Sequence, residues 1–289
     1  MRCACIDIGS NTTRLLVAEP ATGSLREVCS ERVFVRLVSG QPIPADRIAL
    51  VAATVAAQVR RAHESGAQRI RTVATAAIRD APNGAELCAA VARAAGVEVT
   101  VLTVDDEARL AFAGATRSLT EPPRGQVAVV DVGGGSSEIV TGTVAGGVAW
   151  SASLPVGSGL LADRHLRSDP PAAAELDALR RDVAGVLAGL RPPPVDTAYA
   201  VGGGATSLRR VFGARLSRET LGQGMAMLQS TPVAAVAERY TLHVERARIM
   251  PAAVALLDEA SGLLGVALEL ASGGLREGVI LDELSGPRR

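Results

Sequence analysis

Two stretches of the chain share one pattern of apolar and polar positions. Ile6-Asp7-Ile8-Gly9-Ser10-Asn11-Thr12-Thr13-Arg14-Leu15-Leu16-Val17 runs from apolar residues through an Asp and a glycine turn into a second apolar run. Val129–Val140, VVDVGGGSSEIV, does the same. Short apolar runs flanking a glycine turn predict a strand, a tight turn and a returning strand. A shift of 124 residues places Asp7 on Asp131, Gly9 on Gly133 and Thr12 on Ser136. Two aligned copies of this kind predict a duplicated unit that grips phosphate, with the ligand between the copies. The plain alternative is a pair of ordinary glycine-turn hairpins.

The pattern elsewhere fits that duplication. A third strand is expected near Leu25–Val35, then a helix over Asp46–His63 and a strand over Arg69–Thr75. Asn83 or Asp80 can cap a helix that reaches Ala95 and stops at Gly96. A strand over Val97–Thr103 precedes a helix opened by Asp105-Asp106-Glu107 and running to about Arg117. The prolines of Thr120–Gly125, TEPPRG, continue neither element and suggest a boundary. Beyond it come strands at Gln126–Val132, Glu138–Val144, Val148–Leu154, Thr197–Val201 and Val266–Ala271. Helical spacing marks Gly157–Leu166, Ala172–Leu190, Ser217–Gln229, Arg246–Leu264 with a kink or break at Pro251, and Leu275–Leu284. The expected division is an N-terminal lobe over 1–120 and a C-terminal lobe over 121–289, with the final helix able to pack back on the first lobe.

Composition narrows the chemistry. With 289 residues, 48% hydrophobic and 21% charged, the chain reads as a soluble globular protein. Its 30 acids and 30 bases cancel, so no global field recruits nucleic acid or a membrane surface. Every base is Arg, and the absence of Lys excludes a Walker A lysine and a pyridoxal Schiff base. Cys3, Cys5, Cys29 and Cys88 have no zinc spacing. The long uncharged run Ile139–Ala162 is broken by glycines and Pro155, unlike a membrane helix. A reducing cytoplasm is the expected compartment.

Six segments taken together resemble a known family. They are Asp7–Thr12 (DIGSNT), Ala74–Arg79 (ATAAIR), Glu107–Leu110 (EARL), Asp131–Glu138 (DVGGGSSE), Gly202–Thr206 (GGGAT) and Gly273–Gly278 (GGLREG). In this order, over essentially the whole chain, they resemble the exopolyphosphatase and guanosine-pentaphosphate phosphohydrolase (Ppx/GppA) family. The resemblance implies an α/β fold of two duplicated ribonuclease H-like lobes, of the actin/sugar-kinase/Hsp70 superfamily, with an interlobe cleft. It also implies release of terminal phosphate from inorganic polyphosphate. Larger family members carry a further helical domain, and without one short chains are the expected substrate, cleaved from the end; a homodimer would join two clefts into a longer groove. Hydrolysis of pppGpp, non-hydrolytic sensing of polyphosphate or ppGpp, and phosphoryl transfer by a superfamily kinase stay open as alternatives.

Under this reading Gly9, Ser10, Asn11, Thr12, Gly133, Gly134, Gly135, Ser136 and Ser137 cradle phosphoryl oxygens. Arg79, at a strand end, supplies a planar cation. Asp7, Asp131 and Glu138 pose a charge problem, because one carboxylate about 4 Å from a phosphate charge costs roughly 4 kcal/mol at an effective dielectric of 20. A bridging Mg²⁺ or Mn²⁺ reverses that sign. Glu107 matches the family's catalytic glutamate and would activate water, although acids also belong at helix N-termini for dipole reasons. Family members usually have Ser-Gly-Glu-Glu where this chain has Thr103-Val104-Asp105-Asp106, which alters the entry to that helix. Gly203 and Gly204 would border a phosphate chain or a guanosine nucleotide, or simply start a helix.

Overall fold

The computed structural model describes residues 1–285 apart from 22, 23, 39 and 120, and at 204 and 206 describes the backbone only. The chain forms two compact units, Met1–Pro122 together with the segment from Gly273 onward, and Pro123–Ser272.

The first unit runs β1 (Cys3–Ile8), β2 (Thr12–Ala21), β3 (Ser24–Phe34), α1 (Ala45–Glu64), β4 (Arg69–Ala74), α2 (Ala76–Arg79), α3 (Gly84–Ala95), β5 (Val99–Val101) and α4 (Val104–Arg117). Its sheet has the order β3-β2-β1-β4-β5. The β1–β2 and β2–β3 pairs are antiparallel, whereas β4 lies parallel to β1 and β5 to β4. Strand alternation splits the core in two. Ala4, Ile6 and Ile8 pack with Val51 and Val55 of α1, while Cys3 and Cys5 pack on the other face with Leu110 of α4.

The second unit runs β6 (Val127–Val132), β7 (Ser137–Thr143), β8 (Gly147–Leu154), α5 (Ser158–His165), α6 (Ala173–Leu187), β9 (Thr197–Val201), α7 (Gly202–Phe212), β10 (Arg215–Leu216), α8 (Arg218–Ser230), α9 (Val233–Arg239), α10 (Val244–Arg248), α11 (Met250–Leu264) and β11 (Leu268–Leu270). Its sheet order, β10-β11-β9-β6-β7-β8, repeats the first with one short strand added at the edge. This is the two-lobed actin-like architecture that the family resemblance implies. The break foreseen at Pro251 falls between α10 and α11, with Pro251 in the first turn of α11, where its missing N–H costs nothing. The one-turn α2 and the two-residue β10 have no period long enough to register in sequence. The strand foreseen over Val97–Thr103 pairs only over Val99–Val101.

The chain finishes with α12 (Leu275–Ser285), whose Val279 and Ile280 enter the Cys3/Cys5 side of the first unit's core. Glycines set how closely it approaches α4: a Cβ on Gly278 would collide with the Leu110 carbonyl oxygen, and one on Gly114 with that of Gly274. Asp282 clasps this helix to its neighbours, accepting from Arg71 Nη1 at 2.8 Å and Arg109 Nη1 at 3.1 Å. No helix among the described residues is long and apolar enough to cross a membrane.

Burial raises the affinity of the Asp282 carboxyl for a proton, but the hydrogen bonds and charges of Arg71 and Arg109 outweigh it and hold the group below its usual range. A depressed folded value means that the clasp contributes fully above the unfolded Asp value of about 3.9 and is lost as pH falls through the folded one. Asp282→Asn should therefore reduce stability at pH 7, by no more than about 1 kcal/mol because the group is partly solvated. The difference from wild type should close progressively below pH 4 in urea titrations, and a gap that stayed constant with pH would exclude the clasp as its source.

Candidate phosphate-gripping and hydrolytic site

In the first unit Gly9 N–H donates to the Thr12 carbonyl at 3.1 Å, closing the turn between β1 and β2. The Asn11 carbonyl accepts from the N–H groups of Val35, at 2.9 Å, and Arg36, and the Ser10 carbonyl accepts from Leu37. In a planar trans peptide the C=O and the next residue's N–H point in opposite directions. With both carbonyls turned toward residues 35–37, the N–H groups of Asn11 and Thr12 aim the other way. Successive amides aimed together form an anion-binding concavity.

The second unit repeats this. Gly133 N–H donates to the Ser136 carbonyl at 3.0 Å. The Gly133 and Gly134 carbonyls accept from Ser158 N–H at 2.9 Å and Leu160 N–H at 3.0 Å, at the start of α5. By the same planarity Gly134 N–H and Gly135 N–H aim away from α5. A Cβ on Gly157 would collide with Gly134 and Gly135, so glycine is required on the helix as well as in the loop. Sequence reading had not linked Gly157 to the phosphate loop. The link joins residues 23 positions apart, and no local pattern carries it.

Some of the candidate residues have hydrogen-bond partners within their own unit. The Ser137 hydroxyl, buried, donates to the Val156 carbonyl at 2.8 Å, which directs it into the second unit. The buried Thr12 hydroxyl accepts from Arg14 Nε at 3.0 Å, so at both positions the backbone is the better candidate for phosphate. Gly203 is buried, its carbonyl accepting from Ser207 Oγ at 3.0 Å. The surroundings of Gly204 lie outside the described residues. Ser10, Asn11, Gly9 and Gly133–Ser136 are partly exposed, as a grip requires.

Arg79 pairs with Glu107. The α2 turn follows β4 and α4 follows β5, neighbouring parallel strands, so both side chains start from the same end of the sheet. Arg79 Nη1 lies 2.9 Å from Glu107 Oε2 and also donates to the Leu102 carbonyl at 3.1 Å. Glu107 is only 7% exposed. Thr103 caps α4, its side chain accepting from Asp106 N–H at 3.1 Å, so the helix start is well formed despite the altered tetrapeptide. Arg79 thus holds a carboxylate through Nη1, and its contacts to Glu107 and to the Leu102 carbonyl leave the expected role toward phosphate open to its remaining N–H groups.

Other arginines gather in the first unit. Arg14 lies opposite Asp7 on β1 and opposite Arg32 on β3, one polar row across three strands. Burial, then the like charges of Arg14 and Arg276, lower the Arg32 guanidinium to about 10. Cations crowded to that degree favour an anion among them. Arg14 and Arg32 were legible only once the strand register was known.

Asp7, Asp131 and Glu138 are the candidate carboxylates for a divalent cation. Among the described residues no three His, Cys, Asp or Glu side chains form a metal-holding group. Mg²⁺ needs less, commonly one or two carboxylates with substrate phosphates and water. Asp131 and Glu138 meet that requirement as directly opposed residues of β6 and β7. Glu138, 5% exposed, accepts from Ser153 Oγ at 3.2 Å. Asp7 Oδ1 is buried without a hydrogen-bond partner among the described residues, and burial raises its carboxyl above the ordinary range against the pull of Arg14 and Arg276. Such an oxygen also suits a cation or its water shell. Gly202 then explains itself: with φ of +86° it presses against Asp131, and a Cβ there would collide with Asp131 Oδ1.

The Ppx/GppA phosphatase family model matches residues 16–286. The chain is 30% identical to Exopolyphosphatase 1 of Mycobacterium tuberculosis over 307 residues, covering 98% of this chain and 88% of that protein. It is 31% identical to an uncharacterized protein of Streptomyces coelicolor, covering 99% and 92% of the two chains. The crystal structure of the Aquifex aeolicus Ppx/GppA family member superposes with a TM-score of 0.80 at 29% identity, over 98% of this chain and 97% of that one. An exopolyphosphatase structure from Cytophaga hutchinsonii, 20% identical, shares the fold with a TM-score of 0.84 over 100% and 99% of the two chains.

Gly202→Ala tests the packing at Asp131. It should destabilise the protein by about 1–3 kcal/mol, from the left-handed backbone and the collision together. Urea unfolding is the measurement, and a loss no larger than that of Gly185→Ala, where a Cβ meets open space, would count against it.

Proposed function

The chain belongs to the Ppx/GppA phosphatase family, and from that premise we propose that it is an exopolyphosphatase, removing terminal phosphate from inorganic polyphosphate by attack of water. The observation that carries this reading is the buried Glu107 carboxylate, fixed at the head of α4 by Arg79 in a unit that also presents an anion-binding turn.

Water attacks the terminal phosphorus, the bond to the bridging oxygen breaks, and the products are orthophosphate and a chain one unit shorter. Glu107 orients that water and takes its proton; Arg79 acts by holding Oε2, so the carboxylate keeps one orientation. The Asn11 and Thr12 amides, and in the second unit those of Gly134 and Gly135, bind phosphoryl oxygens without adding full charge, as phosphoryl transfer by positioning requires. Asp131 and Glu138 are the residues that would hold Mg²⁺ or Mn²⁺, and Asp7 is the matching carboxylate of the first unit. When bound, the cation neutralises charge on the phosphates.

Glu107→Gln should lower kcat at least about 10²-fold, in the range of general-base losses, with KM little changed. Release of orthophosphate from polyphosphate, pppGpp and ATP, with water the only acceptor, is the assay. Full turnover by the folded variant would remove Glu107 from the chemistry, and tight binding without release by the wild type would favour a sensor.

Chelation should abolish release, and Mg²⁺ or Mn²⁺ should restore it. In Asp131→Asn the concentration of Mg²⁺ needed for half-maximal activity should rise about tenfold or more. Activity indifferent to chelator would exclude the cation.

A further inference from the structure

Asn83 occupies the N-cap position of α3, yet its side chain caps nothing. The carboxamide instead reaches a residue 40 positions earlier: Asn83 Oδ1 accepts from Ile43 N–H at 2.7 Å, and Asn83 Nδ2 donates to the Ile43 carbonyl at 3.0 Å. A weaker contact at 3.5 Å runs from Nδ2 to Glu86 Oε2. One amide thus satisfies both polar groups of a buried residue, as a paired strand would. A good capping residue that forgoes its own helix for a distant segment breaks a local rule, and such departures concentrate where function imposes them.

The two segments joined in this way both lead to the hydrolytic site. Ile43 ends the connection whose Val35, Arg36 and Leu37 amides hold the Asn11 and Ser10 carbonyls. Arg36 sits there with φ of 50°, a conformation a non-glycine residue keeps only when its surroundings fix it. On the other side Asn83 follows the turn that carries Arg79. That turn is packed against the start of α3, because Gly84 lies so close to the Ile78 carbonyl that a Cβ would collide with it.

We propose that Asn83 is a positioning residue, its carboxamide locking the segment that aims the Ser10–Asn11 turn to the turn that carries Arg79, so that the phosphate grip and the Glu107 carboxylate keep one spacing. The catalytic consequence rests on the exopolyphosphatase reading; the mechanical one does not. Misplacement of a reacting group by about 1 Å can cost up to 10²-fold in rate, so the brace should act on kcat.

Asn83→Ala and Asn83→Asp test this with two readouts. The first is kcat and KM for orthophosphate release from polyphosphate with Mg²⁺. The second is amide hydrogen exchange at Val35, Arg36 and Leu37 in native protein, compared with amides in the core of α1. Asn83→Ala should lower kcat about tenfold or more with KM changed less than about threefold, and should speed exchange at those three amides but not in α1. Asn83→Asp keeps the acceptor for Ile43 N–H but turns an anionic oxygen toward the Ile43 carbonyl and Glu86, so it should lower kcat and speed exchange at least as much as Ala. Asp also serves if the Ala variant does not fold. Wild-type kcat in either folded variant, or a lowered kcat with unchanged exchange at residues 35–37, would overturn the proposal. Absence of orthophosphate release by the wild type would instead overturn the exopolyphosphatase reading, with hydrogen exchange still deciding whether the brace exists.

Discussion

A planar peptide cannot present its carbonyl and the following N–H to the same side, and the candidate site depends on that constraint in both units. Each turn has its carbonyls taken by a partner segment: residues 35–37 in one case, the first turn of α5 in the other. The amides are thereby committed to the opposite side. The grip is built from behind. A loop with only glycines and no partner for its carbonyls would sample many orientations and lose entropy on binding. The partner segments remove that loss beforehand, which is why contacts outside the signature sequences matter as much as the signatures.

The two copies have diverged in a chemically directed way. In register, Asp7 faces Arg14 and Asp131 faces Glu138, so one position across the hairpin is cationic in the first unit and anionic in the second. Opposed residues of an antiparallel pair lie close enough to act together. The first copy has Arg32 and Arg276 gathered near Arg14, whereas the second sets two carboxylates opposite each other.

The hairpins, the long helices and the repeated sheet were legible in the sequence because each has a period spanning several residues. The Asp, Gly and Glu107 positions were legible because they lie in short contiguous signatures. What escaped has a common cause. The Arg79–Glu107 pair, the Arg14–Arg32 row, the packing of Gly202 on Asp131 and of Gly157 on Gly134 all join residues distant in the chain. Register and strand order decide such contacts, and neither appears in a linear pattern. Thr12 and Ser137 show the converse: a hydroxyl in a phosphate signature suggests a ligand, yet burial turned each toward its own unit.

The return of α12 has a consequence for the order in which the protein is made. The second unit is one uninterrupted stretch, whereas the first is completed only by the segment after Ser272. During synthesis the N-terminal sheet emerges first but leaves Cys3, Cys5 and Leu110 uncovered, because Val279 and Ile280 are still untranslated. The unit translated later can therefore finish folding before the one translated earlier. Until α12 arrives, the nascent chain carries an exposed apolar sheet face, and the translation of Val279 and Ile280 decides when that exposure ends.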